Sequence, residues 1–541
     1  MTNIMNTTFT VLGGLGLFLY GMNLMGMGLQ KVAGDKLKKL IEILTNNKFM
    51  GVLVGALVTM LIQSSSATTV MVVGFVNAGL MSLSQAIGII MGANIGTTVT
   101  AQLIAFKLTD IAPLVIAIGV GIWLLSSKKK NKEIAEVLIG FGVLFLGMSL
   151  MSGALKPLAD SPVFENLIKS LNNPFLGILV GFGITVIVQS SSASMGLLLA
   201  VAYASELVTL DIAFPILFGQ NIGTCVTALL SSFGANKTAK RAAVMHLLFN
   251  ILGTTIFMIA IYIFPIKSFI ESMNPTNIKR QIANAHTIFN IANTIILFPF
   301  AELIVKAATR LIPGTDDEDE VQGLKYLDSR IMETPSIAVG MASKEVLRMG
   351  KLVKKTLALS KEAFLKADEK LAHKVFEDEK KINWMEKAIT NYLVELLNAP
   401  LTDNQHLVVT ALLNTINDLE RIGDHADNLA EFAQYRIDNN LKMSDYALKE
   451  LDIMFGKVQE SFEQSLKAYK NPSEEYVSAV FVLEEDIDKM EKQLRANHID
   501  RLNKQLCSGS SGIVFLDVIS NLERIADHAS NIALAIRDAI K

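Results

Sequence analysis

One short string, Gln-Ser-Ser-Ser-Ala, occurs twice in this chain, at residues 63–67 and again at residues 189–193. Each copy interrupts a long apolar stretch, and the sequence has no charged residue between Lys48 and Lys107. Hydroxyl and amide groups in the hydrocarbon core of a bilayer have no water to bind, so each of them needs a partner there. The string therefore predicts two polar breaks in membrane-inserted segments, placed where a polar ligand can satisfy them.

The surroundings of the two strings are duplicated as well. Gly-Ala-Asn-Ile-Gly-Thr-Thr-Val-Thr at residues 92–100 matches Gly-Gln-Asn-Ile-Gly-Thr-Cys-Val-Thr at residues 219–227. The offset is 126 residues for the Gln-Ser string and 127 residues for the Asn-Ile-Gly-Thr string. Motifs that recur in one order at one offset indicate a duplicated unit.

The chain divides into an apolar, basic part and a polar, acidic part. Residues 1–310 have a formal charge of +9 and the remaining residues −11, in a chain of 541 residues of which 51% are hydrophobic. This division predicts a membrane domain at 1–310, an acidic linker at 311–335 and a soluble helical domain at 336–541. The predicted fold class is all-α throughout.

The membrane domain is predicted to hold two repeats and one extra helix. Their ranges are 8–132 for repeat one, 134–265 for repeat two and 282–306 for the extra helix. A basic amphipathic helix at 31–47 is expected at the membrane interface. The broken segments 49–80 and 175–205 are interpreted as re-entrant hairpins, hairpin one and hairpin two. Each repeat then crosses the membrane three times, so repeat two is inverted relative to repeat one.

The basic residues of the loops give the orientation. With the N-terminus outside the cell, the cytoplasmic loops hold 14 Lys and Arg residues and the outer loops hold 6. This agrees with the positive-inside rule and predicts a multi-pass protein of the inner (plasma) membrane with a cytoplasmic C-terminal domain. Hairpin one would open from the cytoplasm and hairpin two from outside. Their tips would meet near the midplane, as in inverted-repeat transporters.

The residues of the tips favour an anion bound together with cations. Neither tip carries Lys or Arg, but Ser hydroxyls and free backbone N–H groups at a helix start can hold an oxyanion. Gln and Thr oxygens are ligands for a small hard cation. Inserting one charged side chain into a bilayer costs about 3 kcal/mol, and co-bound cations would remove most of such a cost for an anion. The pattern indicates symport; the structural alternative is that small residues let helices approach.

Gln-Ser-Ser-Ser in two copies, each followed by Gly-x-Asn-Ile-Gly-Thr, resembles the type II sodium-phosphate cotransporter family over residues 8–306. The resemblance implies that the serine tips hold phosphate and that oxygens of both motifs hold sodium. The phosphate residues implied are Ser64, Ser65, Ser66, Ser190, Ser191 and Ser192. The sodium residues implied are Gln63, Asn94, Thr97, Thr98, Gln189, Asn221 and Thr224.

Three details of this resemblance lead to separate expectations. Asn94 and Asn221 are expected in a second layer of the site, as helix N-caps, or in both roles. Cys225 stands where repeat one has Thr98, which leaves a cation ligand at that position open. His246 and His286, in two His-x-x-Phe-Asn stretches, are expected to be structural and bonded within the helix bundle.

The soluble domain is duplicated too. Asn-Asp-Leu-Glu-Arg-Ile-Gly-Asp-His-Ala at 417–426 returns as Ser-Asn-Leu-Glu-Arg-Ile-Ala-Asp-His-Ala at 520–529. The helical pattern predicts two three-helix bundles, with helices at 336–360, 368–397, 402–439, 444–470, 473–503 and 512–541.

Carboxylates of these duplicated strings are candidate metal ligands. A Glu and an Asp four residues apart share one helix face, and acids of the neighbouring helix could join them. The alternative is a solvated acidic stripe. The string resembles the PhoU family over 336–541, which implies a regulator of phosphate uptake that binds divalent or iron-type metal clusters. The adjacent His and Asn are expected to orient the ligands. The candidate ligands are Glu420, Asp424, Glu523, Asp527, Asp378, Glu379, Glu484 and Glu485.

The leading prediction is sodium-coupled symport of inorganic phosphate into the cell, regulated by the PhoU-like domain and a cytoplasmic partner. The alternatives are a membrane phosphate sensor with little transport and a symporter of another oxyanion such as sulfate. An enzyme is not expected, because the chain lacks a Gly-x-x-x-x-Gly-Lys loop and a credible nucleophile–base set. No nucleic-acid partner is expected. The sequence leaves the sodium count and the oligomeric state open.

Overall fold

The computed structural model describes residues 2–33, 47–106, 108–159, 161–314 and 324–540. The regular structure in these ranges consists of 21 α-helices and two short 3-10 helices, which confirms the all-α prediction. The chain forms two compact units. The membrane unit comprises Met1–Val321 with Asp328–Ile337, and the soluble unit comprises Gln322–Leu327 with Ala338–Lys541.

Repeat one folds into six described helices. They are α1 (Thr2–Ala33), α2 (Lys48–Ile62), α3 (Ser65–Asn77), α4 (Leu83–Gly96), α5 (Thr98–Ala105) and α6 (Ala112–Leu125). The break predicted in segment 49–80 is confirmed, because α2 and α3, which form hairpin one, are separated at residues 63–64. The predicted span 85–106 is divided into α4 and α5 at Thr97. The interfacial helix predicted at 31–47 lies mostly outside the described residues.

Repeat two and the chain after it form nine helices of the membrane unit. They are α7 (Lys129–Ala159), α8 (Pro162–Ser170), α9 (Pro174–Val188), α10 (Ser191–Ala204), α11 (Leu210–Ser231), α12 (Lys237–Ile263), α13 (Ile266–Met273), α14 (Ile278–Leu297) and α15 (Ala301–Leu311). Helices α9 and α10 form hairpin two. The extra helix predicted at 282–306 is interrupted by a 3-10 turn at Phe298–Phe300. Pro299 within that turn has no N–H group to continue an α-helix.

Six apolar stretches of the described chain are long enough to cross a membrane. They are Met5–Ala33, Leu83–Ala105, Lys129–Ala159, Leu210–Ser231, Lys237–Ile263 and Ile278–Leu311. Helix α6 has 14 residues, which cover about 21 Å, whereas the hydrocarbon core is about 30 Å thick. The three crossings per repeat, and with them the inversion of repeat two, therefore stay predictions.

The soluble unit has the six helices that the sequence predicted. They are α16 (Pro335–Lys366), α17 (Glu369–Leu396), α18 (Asp403–Asp438), α19 (Asp445–Lys470), α20 (Glu474–Asn503) and α21 (Gly509–Ile540). Capping residues start several of them, for example Thr402, whose hydroxyl accepts from the Gln405 N–H in a capping box. Helix α18 packs against α21, which joins the two three-helix bundles.

Candidate functional site

Both Gln-Ser strings fold into the same turn between two helices, named here elbow one (residues 63–66) and elbow two (residues 189–192). Gln63 and Gln189 adopt the left-handed backbone region, with φ of 59° and 57°. Ser64 and Ser190 then cap the next helix, and their Oγ atoms accept from the N–H three residues on, at 3.1 and 3.2 Å. Equal sequences at the two sites thus give equal backbone geometry.

The glutamine side chains fasten the two elbows to the helices of the Asn-Ile-Gly-Thr motifs. Gln63 Oε1 accepts from Thr100 Oγ1 at 2.8 Å, and Gln189 Oε1 accepts from Thr227 Oγ1 at 3.1 Å. A left-handed conformation costs a residue other than glycine about 1 kcal/mol. The hydrogen bond offsets that cost and explains why glutamine, and not glycine, stands there. Both threonines were missed as site residues, although each ends the duplicated nine-residue motif.

The serines after each glutamine present hydrogen-bond donors. Ser65 and Ser66 start α3, and Ser191 and Ser192 start α10. The first N–H groups of a helix have no acceptor within it, and the positive end of the helix dipole lies there. Ser65 is 5% exposed and Ser191 is 8% exposed, so these donors are shielded from bulk water. Each elbow can therefore bind an oxyanion through hydroxyl and backbone N–H groups together.

The glycines of the Asn-Ile-Gly-Thr motifs allow the backbones to approach closely. A Cβ added to Gly92 would lie 2.0 Å from the carbonyl oxygen of Val52 on α2. A Cβ added to Gly219 would lie 2.0 Å from the carbonyl oxygen of Ile178 on α9. Real Cβ atoms do not come that close, so only glycine fits. These glycines hold the outer helix of each hairpin against α4 or α11.

The asparagines of the same motifs are not helix caps, so that expectation is wrong. Asn94 lies inside α4 and donates from Nδ2 to the Ile90 carbonyl oxygen at 2.8 Å, and Asn221 lies inside α11. Both are buried. Within the described chain, Asn221 Nδ2 has no hydrogen-bond partner. A buried amide group without a partner is costly and is consistent with a polar ligand beside it.

The predicted sodium threonines are buried too. Thr98 donates to the Ile95 carbonyl oxygen and Thr224 to the Gln220 carbonyl oxygen, so both hydroxyls bond within their own chain segment. Thr97 lies at the junction of α4 and α5 and is 5% exposed. A hydroxyl group that donates its hydrogen bond to a carbonyl oxygen keeps the lone pairs of its own oxygen available for a cation.

The expectation that His246 and His286 are bonded within the bundle is not met. Both rings are buried in the membrane unit, on α12 and α14. Both ring nitrogens of His246 and Nδ1 of His286 have no partner among the described residues. Asn250, one turn after His246, donates its amide to Cys225 Sγ at 3.3 Å. Cys225 is thus an acceptor for a neighbouring helix.

The inner helix of each hairpin packs against the other repeat. Helix α3 contacts α11, and α10 contacts α5. The elbows differ in exposure, because Gln63 is 6% exposed whereas Gln189 is exposed. Gln63 is therefore enclosed by protein and Gln189 is not, although Ser65 and Ser191 are buried in both elbows.

The second bundle of the soluble unit contains a compact acidic cluster. Glu484, Asp488 and Asp527 each place a carboxylate oxygen within 4.8 Å of the others. Burial, and then the charge of Asp488, raises the pKa of Glu484 and of Asp527. Burial also raises the pKa of Glu523 beside them. Several carboxylate oxygens at this spacing are a suitable ligand set for a hard cation.

The first bundle has a looser group of carboxylates at the corresponding place. Burial, and then the charge of Asp424, raises the pKa of Glu379 and of Glu420. Burial, and then the charge of Glu379, raises the pKa of Asp427 to about 6. These shifts show that the acids of α17 and α18 act on one another.

Two of the predicted metal ligands point to other partners. Asp378 pairs with Lys355 at 2.9 Å and with Lys381 at 3.3 Å, and Glu485 pairs with Lys489 at 2.6 Å. The structure does not bring either of them into an acidic cluster. Asp488, one helical turn after Glu484, and Asp427, three residues after Asp424, were missed. Their i, i+4 and i, i+3 spacing was the available signal.

The histidines of the duplicated string join the two bundles. His425 Nδ1 contacts Asn521 Oδ1 at 2.8 Å, and His528 Nδ1 contacts Asp418 Oδ1 at 2.9 Å. Their partners lie on the facing helix of the α18–α21 pair. These histidines were expected to orient the predicted metal ligands. Their Nδ1 atoms contact Asn521 and Asp418 instead, and neither of these residues is a predicted ligand. The expectation is therefore not met at Nδ1.

Comparison with known protein families finds a match for each of the two units. The family model described as Na+/Pi-cotransporter matches residues 17–153 and 146–267, and the model described as PhoU domain matches residues 346–433 and 451–536. YjbB of Salmonella typhimurium, named as a proposed inorganic phosphate export protein, is 25% identical over 98% of both chains.

Two further proteins match parts of the chain. Sodium-dependent phosphate transport protein 2A of Rattus norvegicus is 43% identical over 99 residues, which are 18% of this chain and 15% of that protein. The crystal structure of PhoU from Pseudomonas aeruginosa is 24% identical and covers 38% of this chain and 97% of that chain, with a TM-score of 0.36. The chain belongs to the Na+/Pi-cotransporter family and carries a PhoU domain after its membrane unit.

Proposed function

We propose that this protein is a symporter that brings inorganic phosphate into the cell together with sodium. The observation that carries the proposal is the pair of equal elbows, each with shielded serine hydroxyls and free N–H groups at a helix start. The phosphate ligands are the serines of both elbows. An oxyanion held by several such donors is stabilised without a cationic side chain in the elbow.

Sodium binds beside the phosphate through neutral oxygens of the same motifs. The glutamine of each elbow, the asparagine of each Asn-Ile-Gly-Thr motif and the threonines after it supply them. Every one of these groups is an amide or hydroxyl oxygen, the ligand type of hard cations. The name of the rat relative, a sodium-dependent phosphate transport protein, supports this choice of cation.

A second candidate is phosphate export through the same site. The observation that favours it is the name of YjbB, a relative matched over 98% of this chain. The two candidates use the same ligands and differ in the direction of net flux.

The test is labelled phosphate flux in proteoliposomes with an inward, an outward or no sodium gradient. Ser65→Ala and Ser191→Ala should lower the flux at least tenfold, and Ser272→Ala, an exposed serine outside the site, is the matched control. Uptake that follows the inward gradient supports the proposal, and flux driven only outward supports export. Flux indifferent to sodium refutes coupling. Saturable binding without flux indicates a sensor, and full competition by sulfate indicates another oxyanion as cargo.

The soluble unit is proposed to regulate hairpin one through the docked segment, residues 328–333. Within the membrane unit, Asp328 Oδ2 accepts from Asn77 Nδ2 at 2.8 Å, at the last residue of α3. Ile331 of the same segment is fully buried and lies against Gly74, where an added Cβ would be 3.1 Å from its side chain. Helix α16 starts two residues after this segment. A change in the position of α16 would therefore act on α3.

The acidic clusters of the soluble unit are proposed to bind a divalent or iron-type metal. The residues that would hold it are Glu484, Asp488, Glu523 and Asp527 in the second bundle, and Glu379, Glu420 and Asp424 in the first. Glu420→Ala combined with Glu523→Ala should lower the metal content of the purified protein, measured by elemental analysis. Glu485→Ala, outside the cluster, is the control. Equal metal content in both variants would show that the carboxylates are only a solvated surface.

A further inference from the structure

A cationic side chain in the membrane unit has only neutral partners in the described part of the chain. Arg280, near the start of α14, donates from Nη1 to Gln102 Oε1 at 3.1 Å. Its guanidinium carbon lies 3.8 Å from the centroid of the Phe106 ring. In the predicted orientation Arg280 is one of the six basic residues of the outer loops, and a cation that has only neutral partners can still pair with an incoming anion.

Gln102 is held in place by the same helix that carries Arg280. Its Nε2 donates to Asn284 Oδ1 at 3.1 Å and to Thr287 Oγ1 at 3.0 Å. Both of its amide hydrogens thus bond to α14, and its oxygen faces Arg280. Arg280 is therefore positioned by α5 and does not extend freely into solvent.

The Arg280–Gln102 contact and elbow one are joined by the same helix. Gln102 is two residues after Thr100 on α5, about 3 Å further along the axis and on the opposite face of the helix. Thr100 is the residue whose hydroxyl bonds Gln63 of elbow one at 2.8 Å. A single helix of eight residues thus connects the guanidinium to an elbow that has no cation of its own.

A second cation lies next to the helix that leaves elbow two. Lys279 is 9% exposed, and its Nζ lies 4.0 Å from the centroid of the Tyr203 ring. Tyr203 is the penultimate residue of α10, which begins at Ser191 and packs against α5. Both cations at the start of α14 therefore lie next to the helices that lead to the elbows.

We propose that Arg280, with Lys279 beside it, binds the phosphate oxyanion as it moves between the open end of hairpin two and the elbows. This inference rests on the proposed function and adds a recognition residue to it. The guanidinium fork matches two phosphate oxygens, and a charge-assisted hydrogen bond is about twice as strong as a neutral one. Phosphate would therefore displace the neutral Gln102 oxygen, which holds the fork in place until the anion arrives.

The internal repeats supply a matched control. The His-x-x-Phe-Asn stretches of α12 and α14 are 40 residues apart, so Lys240 corresponds to Arg280. At the 127-residue offset of the Asn-Ile-Gly-Thr motifs, Gln102 corresponds to Leu229. The arginine–glutamine pair thus has no counterpart at Lys240 and Leu229, and Lys240→Gln removes a cation from a matched sequence context.

The test is equilibrium binding of labelled inorganic phosphate to the purified full-length protein, together with the KM for phosphate in proteoliposomes. Arg280→Gln should raise the phosphate Kd about tenfold, a loss of about 1.4 kcal/mol, with an unchanged sodium dependence. Lys240→Gln should leave the Kd at the wild-type value.

Comparing Gln102→Glu with Gln102→Leu separates recognition from packing. Both variants lose the two amide hydrogen bonds to α14, but only the carboxylate neutralises Arg280, so Gln102→Glu should raise the Kd well above that of Gln102→Leu. If the pair were only a link between α5 and α14, the two variants would bind phosphate equally, and that result would overturn the inference. Wild-type protein that binds no phosphate would overturn the proposed function itself, and this inference with it.

Discussion

Replacing Thr100 by valine removes the hydroxyl that fastens elbow one and keeps the shape of the side chain. Gln63 is 6% exposed, so its Oε1 would lose its bond from Thr100 without gaining water. Leaving a buried acceptor without a partner costs about 1 to 3 kcal/mol. Thr100→Val should lower the free energy of unfolding by that amount. It should also weaken phosphate binding, because the proposed phosphate ligands Ser64–Ser66 come directly after Gln63 in the chain.

Thr227→Val is the matched change in elbow two, and its expected effect is smaller. Gln189 is not enclosed by protein, so its Oε1 can turn toward another donor once the hydroxyl is lost, and the expected cost is about 0.5 kcal/mol or less. Both variants can be compared by denaturant unfolding in detergent and by the Kd for phosphate. Equal losses in the two variants would refute the argument that the protein encloses Gln63 more closely than Gln189.

Three further predictions concern packing, titration and the docked segment. Gly92→Ala should abolish folding or cost about 3 kcal/mol, because its Cβ would overlap a carbonyl oxygen, whereas Gly121→Ala, with open space around it, should be neutral by size-exclusion and thermal unfolding. Burial raises the pKa of Asp427 to about 6, so its ionisation opposes folding. The stability of the metal-free soluble unit should fall as pH rises from 4 to 7, by about 1 kcal/mol after allowing for solvent screening. Asp427→Asn should reduce that fall, because Glu379 and Glu420 titrate in the same direction, and an unchanged pH profile would show that Asp427 does not contribute to it. Asn77→Ala should release Asp328 and increase hydrogen exchange in residues 328–333, with exchange equal to the wild type contradicting the docking.

The sequence was sufficient for the elements that local pattern controls. The repeated Gln-Ser string predicted both breaks, because polar residues inside an apolar stretch need a partner wherever the fold puts them. The six helices of the soluble unit followed from periodicity and from capping residues such as Thr402. The 3-10 turn at Phe298–Phe300 was not expected, although Pro299 was visible in the sequence.

Long-range pairing was beyond the sequence pattern. Arg280 and Gln102 are 178 positions apart, and neither residue type in its local context indicates the other. The misplaced ligand Asp378 shows the same limit, because its ion pair with Lys355 depends on how α16 and α17 pack. The left-handed conformation of Gln63 was likewise hidden, since it depends on a bond to a threonine 37 residues away.

The glycine contacts at Gly92 and Gly219 have a mechanical consequence. Where backbones touch without side chains between them, two helices cannot slide past each other without a clash. Helix α2 should therefore move with α4 as one rigid body, and α9 with α11 as another. The surfaces left to shear include those where α3 meets α11 and where α10 meets α5. Alternating access in this protein would then come from rotation of the α2–α4 pair against the α9–α11 pair, and not from separate movement of each hairpin.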